Sequence, residues 1–373
     1  MDRYEIIVKT LAGLEEVLMK EISELGGTNI KKLKRAVSFM GTDEHMINAN
    51  LKLRTALSVL IPITEFKIYS EDDLYKAVYD MPWETIFGLK QTFAIKATVS
   101  GTLFTHSKYV ALKTKDAIAD RFRAKFGKRP YVDTYEADYQ LVVHIQQSEC
   151  SISLDSTGVS LDKRGYRLNA NEAPINEVLA AGIIQMANWN LETDIYDLMS
   201  GSGTFGIEAA MLASKTPPGF RRSYAFQKWT DYDAVSFHSI KKQALDAIVT
   251  PKGKFYCSDI VSKNLSIIEE NAQRAAIKEY LNIQKQDYFD TKVLGDDGII
   301  FLNPPYGERM QQEEIGDFYK EIGDVLKNNF KNCEAWVVSS NMAAMKRFGL
   351  KAASRTQVFN GGLECKLNHY KLY

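Results

Sequence analysis

Hydrophobic and polar residues follow two different periods along the second half of the chain. Short apolar runs of strand length are followed by longer stretches with apolar positions three and four residues apart, which is typical of helices. Strands alternating with helices predict a doubly wound, mostly parallel α/β sheet, and the last two strands predict an antiparallel hairpin at its edge. The predicted strands are 193–199, 254–260, 281–287, 298–304, 334–340, 355–360 and 364–372, and the predicted helices begin at Thr204 or span 262–277, 313–330 and 341–348.

The first 160 residues have a different pattern. A strand (4–8), a helix (14–24), strands around 34–40, a helix (46–57) and mixed elements through 141–147 indicate an α+β region. A polar stretch, 161–174, contains the turn formers Gly165, Asn169 and Pro174 and predicts the linker between the two parts.

Four residues directly after the apolar run 298–302 form the most distinctive motif, Asn303-Pro304-Pro305-Tyr306. The prolines end the strand because they cannot donate to its ladder. An exocyclic amine on a nucleobase is a poor nucleophile, and the Asn303 side-chain oxygen with the rigid Pro304 carbonyl can accept its N–H groups and aim its lone pair. Tyr306 can stack on a base taken out of its helix. The structural alternative is a proline turn with a capping asparagine.

A glycine-rich turn follows the first strand of the second half, in 197-DLMSGSGTFGIEAA-210. Gly201, Ser202 and Gly203 let the backbone approach a ligand, and the helix that begins at Thr204 offers free N–H groups. Asp197 would repel a pyrophosphate but suits a ligand with an ammonium or sulfonium group, such as S-adenosylmethionine. The alternative is that the glycines only pack.

Two more acids end the following strands. Asp259 can bind both ribose hydroxyls of a nucleoside, or can merely cap a helix. Asp287, followed by Tyr288, can accept a hydrogen bond from an adenine amino group. Three successive strands that end in acids favour a nucleoside-containing cofactor.

Composition narrows the class of protein. With 373 residues, of which 45% are hydrophobic, the chain can form two or three domains with real cores. Lys and Arg (47) balance Asp and Glu (47), so any basic surface must be local. Four separated cysteines without a CxxC pair argue against a zinc site or a disulfide framework, and we predict no metal. The charged start MDRYEIIVKT and the lack of a membrane-spanning apolar stretch predict a cytoplasmic protein that contacts no membrane.

A basic segment, 108–129, carries eight basic and two acidic residues, interleaved with aromatic side chains. Phosphate binding is the functional interpretation, and a solvated helix face is the structural alternative. The candidate RNA-binding residues are Lys108, Lys113, Lys115, Arg121, Arg123, Lys125, Lys128 and Arg129.

The motif at 303–306 resembles the N/D-P-P-Y/F/W motif of the amino-directed class I methyltransferases, and 197–210 resembles their methionine-proximal glycine loop. The segments 164–184, 219–229 and 301–310 together resemble the bacterial 23S ribosomal RNA guanine-N2 methyltransferases that carry an N-terminal THUMP domain. The resemblance covers most of the chain, strongly from about residue 93 onward. Relatives often have Cys where this chain has Ser200, a mild departure since both are small and polar.

This resemblance implies a ferredoxin-like domain at 1–65, a THUMP RNA-binding domain at 66–160 and a Rossmann-like, S-adenosylmethionine-dependent methyltransferase domain at 161–373. It implies that the methionine portion of the cofactor lies by Asp197 and the glycine turn, the ribose by Asp259 and the adenine by Asp287. The catalytic set is Asn303, Pro304, Pro305 and Tyr306. The cofactor-binding set is Asp197, Ser200, Gly201, Ser202, Gly203, Thr204, Asp259, Ile260, Asp287, Tyr288 and Asn303.

The predicted activity is methyl transfer to the N2 amine of a guanine in 23S ribosomal RNA or a ribosomal precursor, with no obligate protein partner. The same turn fits a guanine in transfer RNA or an adenine N6 in DNA. A non-catalytic RNA-binding or assembly factor is the alternative from another class, and the intact motif at 303–306 argues against it. A nicotinamide-dependent oxidoreductase is disfavoured by Asp197.

Overall fold

The computed structural model describes residues 2–101, 104–167, 174–291, 297–307 and 312–373, the last range without the side chain at 312. Residues 168–173, which include the predicted linker residue Asn169, lie outside the described residues, as does the end of the 301–310 segment, 308–310. The chain folds around two sheets, one of eight strands and one of seven.

The N-terminal sheet has the strand order β2-β3-β1-β4-β8-β7-β5-β6. Its strands are β1 (Tyr4–Thr10), β2 (Thr28–Leu33), β3 (Ala36–Gly41), β4 (Ala56–Lys67), β5 (Thr92–Ser100), β6 (Tyr131–Val132), β7 (Tyr139–Gln146) and β8 (Glu149–Asp155). Its helices are α1 (Glu15–Glu24), α2 (Asp43–Lys52), α3 (Glu71–Asp80) and α4 (Ser107–Phe126).

The long strand β4 makes this region one continuous sheet. The first part of β4 pairs with β1, and the strand then pairs with β8 as far as Lys67. The residue pair 65/66, where we place the boundary between the two N-terminal domains, therefore lies inside a strand that both parts share.

The prediction of a helix at 46–57 is wrong at its carboxyl end. Helix α2 stops at Lys52, and Leu53 is extended, with φ −66° and ψ 126°. Residues from Ala56 onward pair with β1, for example Val59 opposite Val8. The apolar spacing that suggested a longer helix instead fills the buried face of a strand, because tertiary pairing overrides local periodicity.

The C-terminal half confirms the predicted alternation of strands and helices. Its strands are β9 (Ile195–Asp197), β10 (Phe255–Asp259), β11 (Leu281–Lys285), β12 (Ile299–Leu302), β13 (Glu334–Ser339), β14 (Ser354–Asn360) and β15 (Leu363–Lys371). Its helices are α5 (Glu177–Met186), α6 (Thr204–Ala213), α7 (Ala234–Asp246), α8 (Ser262–Arg274), α9 (Gln312–Asn329) and α10 (Met342–Met345).

The order of the C-terminal sheet is β11-β10-β9-β12-β13-β15-β14. The strands from β11 to β13 pair in parallel, whereas β15 pairs antiparallel with β13 and with β14. The chain leaves β9 towards β10 and β11, and later returns to the other side of β9 as β12. Such a reversal of strand order opens a crevice at the carboxyl ends of the central strands.

Hydrophobic packing fixes the central strands of this sheet. All four residues of β12 are buried, and Phe301 stacks on Phe205 of α6 with ring centroids 5.1 Å apart. Burial of one such side chain stabilises the fold by about 1.5 to 3 kcal/mol. The loops at the ends of β9 and β12 are therefore held by a rigid layer beneath them.

The segment between α6 and α7 joins the two halves. The Phe226 N–H donates to the Ser156 carbonyl at 3.1 Å, and Trp229 stacks on Tyr139 of β7 with ring centroids 6.1 Å apart. Arg54, which is buried, also donates to the Thr216 carbonyl at 2.8 Å. The C-terminal half thus also contacts the N-terminal half through residues 216–229, which follow the linker in sequence and lie next to it in space.

Within the described ranges, no helix is long and apolar enough to cross a membrane. Across the same residues, no group of three or more His, Cys, Asp or Glu side chains could hold a metal ion. All four cysteines are buried and unpaired.

Candidate active site

A cavity of about 600 Å³ opens at the carboxyl ends of the central strands of the C-terminal sheet. The residues after β9, β10, β11 and β12 all contribute to its wall. Of the predicted site residues, its described lining contains Asp197, Ser200, Gly201, Ser202, Thr204, Asp259, Ile260, Asp287, Tyr288, Asn303, Pro304, Pro305 and Tyr306. The structure therefore brings together in one cavity residues that follow four different strands and that range from position 197 to position 306.

Asp197 is the last residue of β9 and is only 2% exposed. Burial raises its pKa to about 7; the Gly206 N–H, which donates to Oδ2 at 3.1 Å, opposes this shift, and the neighbouring Asp259 adds to it. A positive charge in the cavity would favour the ionised carboxyl group. A cationic ligand beside Asp197 would therefore be stabilised by the ionised carboxylate.

The turn after β9 is compact. Ser200 donates its hydroxyl to the Asp197 carbonyl at 2.5 Å, and Gly203 has a positive φ of 78°. A Cβ on Gly203 would lie 2.8 Å from Ile268, and one on Gly206 would lie 2.2 Å from the Cys257 sulfur. Gly203 is absent from the described lining of the cavity, so it shapes the turn from behind rather than facing the ligand space.

The carboxylate of Asp259 connects two loops. Its Oδ2 accepts the Gly201 N–H and its Oδ1 accepts the Val261 N–H, both at 2.9 Å. Each carboxylate oxygen can accept more than one hydrogen bond, so capacity for ligand hydroxyls remains. Asp259 therefore ties the two loops together without capping α8, whose N-cap residue is Val261, and its remaining lone pairs face the cavity wall that it helps to form.

Asp287 accepts the Phe289 N–H at 3.0 Å and caps a short 3₁₀ turn at the end of β11. The hydroxyl of Tyr288 donates to the Ile322 carbonyl at 3.0 Å, and burial raises the pKa of this tyrosine. The tyrosine ring is only 3% exposed. Tyr288 therefore lines the cavity with its hydroxyl already committed to a bond inside the protein.

The Asn303–Tyr306 turn follows β12 directly. Tyr306 donates its hydroxyl to the Asn303 Oδ1 at 2.6 Å. Burial is the main cause of a raised pKa at Tyr306, and the nearby Cys365 raises it further. The hydroxyl therefore stays protonated and can donate. The Asn303 side-chain oxygen, which the sequence predicts as an acceptor for the target amine, thus already accepts one hydrogen bond from the tyrosine of the same motif.

The carbonyls of this turn are not equivalent. Pro305 accepts from the Tyr319 hydroxyl at 3.2 Å, and Tyr306 accepts from the Asn341 side chain at 2.9 Å. Among the hydrogen bonds of the described residues, none ends on the Pro304 carbonyl. In the part of the chain that the structure describes, the Pro304 carbonyl that the sequence singled out is thus without a hydrogen-bond partner.

The basic segment forms most of α4, and five of its eight candidates are in ion pairs. Arg121 and Lys125 both contact Glu84, at 2.8 and 2.6 Å, and hydrogen bonding by Arg121 lowers the pKa of Glu84 to about 2. The other pairs are Lys113–Asp72, Lys115–Asp116 and Arg123–Asp120. Lys108, Lys128 and Arg129 are exposed and have no ion pair within the described part of the chain.

Sequence reasoning missed several wall residues of the cavity. Phe289 and Phe318, whose rings meet edge to face at 5.6 Å, belong to the 3₁₀ turn and to α9. Ile175 and Asn264 reach the cavity from the start of the C-terminal half and from α8. The helical periodicity of 313–330 showed that Phe318 lies on a helix, but a single chain gives no signal for which face lines a ligand space.

Three protein-family models together match nearly the whole chain. The UPF0020 family model, described as an RMKL-like methyltransferase domain, matches residues 164–369. A THUMP domain model matches 69–155, and a model of the RlmL ferredoxin-like domain matches 5–60.

Two curated relatives align with nearly the whole of this chain. A protein named as an RNA methyltransferase from Synechocystis sp. is 37% identical over 97% of this chain and 95% of its own length. The ribosomal RNA large subunit methyltransferase K/L of Psychromonas ingrahamii is 35% identical over 98% of this chain and 50% of its own length. The chain thus spans about half of the second relative.

Solved structures agree in fold. A methylase from Clostridium difficile 630 superposes with a TM-score of 0.92 at 30% identity, covering 100% of this chain and 98% of that one. A protein described as a methyltransferase, determined in complex with SAH, gives a TM-score of 0.90 at 27% identity, covering 100% and 99%.

Proposed function

This chain belongs to the UPF0020 family of RMKL-like methyltransferases and is an S-adenosylmethionine-dependent RNA methyltransferase, and we propose that it methylates the exocyclic N2 amine of a guanine in 23S ribosomal RNA. The observation that carries this proposal is the Asn303–Pro304 turn, which lines the same cavity as the three strand-end carboxylates. The name of the Psychromonas relative supports the ribosomal substrate.

The residues present fit the cofactor. Asp197, buried and with a raised pKa, favours a positive charge beside it. Asp259 and Asp287 offer acceptors for ribose hydroxyls and for an adenine amino group, and the Ser200–Gly203 turn at the start of α6 permits close approach. When bound, S-adenosylmethionine supplies an electrophilic methyl group on a sulfonium.

Asn303 and Pro304 carry the positioning of the nucleophile. Both are neutral acceptors, so they can orient the two N–H groups of an amine without removing a proton from it. Methylation makes the nitrogen acidic, and its surplus proton can leave late to solvent. Catalysis then depends on orientation of the amine, and not on a strong base.

Tyr306 presents the aromatic surface of the motif. Asn303 Oδ1 accepts the Tyr306 hydroxyl and has a second lone pair, so it can accept an amine N–H beside that hydroxyl or in its place. The ring can stack on a base that has left its helix, which contributes about 1 to 3 kcal/mol.

The test uses labelled S-adenosylmethionine with separate pools of unmodified ribosomal RNA, transfer RNA and DNA, followed by identification of the methylated nucleoside. We expect N2-methylguanosine from the ribosomal pool. Methylated adenine, or label in transfer RNA alone, would contradict the substrate assignment while leaving methyl transfer intact.

Asn303→Ala tests the chemistry itself. Loss of an oriented acceptor in a desolvated site should lower the single-turnover rate about 10²- to 10³-fold. Binding of cofactor and RNA should persist, because neither depends mainly on that side chain. Asn303→Asp keeps an acceptor oxygen and should retain more activity than the alanine variant. Near-normal turnover in Asn303→Ala would refute the proposed role of the turn.

A further inference from the structure

Three side chains lie behind the Asn303–Tyr306 turn, each from a different element. Tyr319 belongs to α9, Ser339 is the last residue of β13, and Asn341 caps α10. Because β13 pairs in parallel with β12, its carboxyl end lies alongside the turn that follows β12. The fold therefore brings these side chains to the outer side of the turn.

The hydrogen bonds among them run in one direction. A carbonyl can only accept, so the single O–H of Tyr319 is used on the Pro305 carbonyl at 3.2 Å. Ser339 must then donate to the Tyr319 oxygen at 2.7 Å, and Ser339 itself accepts the Asn341 N–H at 3.0 Å. Each hydroxyl donates once and accepts once, which leaves no freedom in their orientation.

Asn341 uses both ends of its side-chain amide. Its Nδ2 donates to the Tyr306 carbonyl at 2.9 Å, and its Oδ1 accepts the Ala344 N–H at 2.9 Å. The second bond caps α10 and fixes the amide plane, so the first bond has a fixed direction. An aliphatic residue here would lose both contacts, whereas serine keeps the cap alone.

Burial makes these contacts rigid. Tyr319 and Ser339 have no exposed surface. Gly307, with φ 84°, places the end of the turn so near α9 that a Cβ would lie 2.7 Å from the Ile315 side chain. Pro305 is exposed and Tyr306 is half-buried, so the restriction on the turn comes from this close packing and from the two enclosed hydroxyls, and not from exclusion of water from every contact.

We propose that Tyr319, Ser339 and Asn341 are positioning residues that hold the Pro305 and Tyr306 carbonyls and so leave the Pro304 carbonyl and the Asn303 side chain aimed into the cavity. This inference rests on the proposed function of the turn. The three residues touch neither target nor cofactor; they act by restricting how the peptide planes of the turn can rotate. Methyl transfer needs accurate orientation of the amine, so loosening the turn lowers the rate and not the affinity.

Two variants remove one contact each. Tyr319→Phe deletes the hydroxyl with little change in packing, and Asn341→Ser deletes the donor to Tyr306 while keeping a helix cap. Each should lower the single-turnover rate about 3- to 10-fold at saturating RNA and cofactor, with unchanged affinities for SAH and RNA. Tyr224→Phe is the matched control, because this buried tyrosine also donates to a carbonyl, that of Gly219 at 2.8 Å, in the segment between α6 and α7.

The decisive measurement repeats Tyr319→Phe in the Asn303→Ala background. If the hydroxyl acts through the turn, its removal should cost less there than in the wild type. Equal losses in both backgrounds, or equal losses in Tyr319→Phe and Tyr224→Phe, would overturn the inference and indicate general destabilisation. Unchanged rates in Tyr319→Phe and Asn341→Ser, with Asn303→Ala inactive, would overturn the inference alone. An active Asn303→Ala would instead remove the proposed function on which it rests.

Discussion

Replacing Asp197 by asparagine removes a buried carboxyl group while nearly preserving the shape of the side chain. The asparagine oxygen can still accept the Gly206 N–H, so the contact at 3.1 Å survives. What disappears is the ability to ionise. The variant therefore separates the electrostatic contribution of this residue from its packing.

The expected change in stability follows from the raised pKa. Asp197 has a pKa of about 7 in the folded protein against 3.8 for an unperturbed group. A raised pKa means that the protonated form is favoured by folding, so this contribution is fully present below the unfolded value and is lost as the pH rises through 7. Between about pH 5 and pH 8 the wild type should lose about 3 kcal/mol of unfolding free energy relative to Asp197→Asn, at about 1.4 kcal/mol per pKa unit.

Cofactor binding should show the opposite pH dependence. A cationic group beside Asp197 favours the carboxylate, so the affinity of the wild type should rise up to about tenfold per unit as the pH approaches 7 and then level off. Asp197→Asn should bind weakly at every pH, without this slope.

Urea denaturation of both proteins at several pH values measures the first effect, and calorimetric titration with SAH, which retains the ammonium group, measures the second. The difference between the two proteins is the relevant quantity, because titrating groups that do not interact with Asp197 cancel in it. Parallel stability curves across the whole range would refute the reasoning, since they would mean that Asp197 ionises normally in its buried position.

Three further changes test other parts of the molecule. Gly203→Val should weaken SAH binding at least about tenfold, because a β-branched residue does not tolerate positive φ; circular dichroism checks that the variant is folded, and wild-type affinity would exclude the turn from the site. Replacing Lys128 and Arg129 by Glu should weaken RNA binding and flatten its salt dependence, whereas Arg121→Gln, which breaks an internal ion pair, should affect thermal stability more than the salt slope; equal salt slopes in all proteins would mean that the basic segment is a solvated face. Tyr306→Phe should keep the stacking surface and release the acceptor of the turn, so kcat/KM should equal or exceed that of the wild type; a loss comparable to Tyr306→Ala would assign the hydroxyl a direct role.

Local chemistry was predictable where neighbouring residues in sequence share one task. The motif at 303–306 combines a strand end, two prolines and an asparagine within four positions, and the structure indeed has these residues at the end of β12, lining the cavity. The acids at 197, 259 and 287 were predictable for the same reason, because parallel strands bring their carboxyl ends to one edge.

Charge on α4 was less predictable, because its partners lie elsewhere. A count within 108–129 finds only two acids, but Glu84 from the preceding segment pairs with both Arg121 and Lys125, and Asp72 pairs with Lys113. The hydrogen bonds from Tyr319 and Asn341 to the Pro305 and Tyr306 carbonyls could not be predicted for the same reason. These side chains reach the turn only after α9 and β13 have folded. Long-range packing, and not local pattern, decides such pairs.

The two halves of the chain are joined by the linker and also by direct contacts, which restrict how one half can move relative to the other. A catalytic unit tethered by one linker could swing and reach bases at many distances from the point where RNA is gripped. Here residues 216–229 also contact the N-terminal half, at Arg54, Ser156 and Tyr139, and these contacts restrict rotation about the linker. An RNA bound by the N-terminal half would consequently be presented to the cavity from a fixed position, so only bases at a particular distance from that contact would reach it.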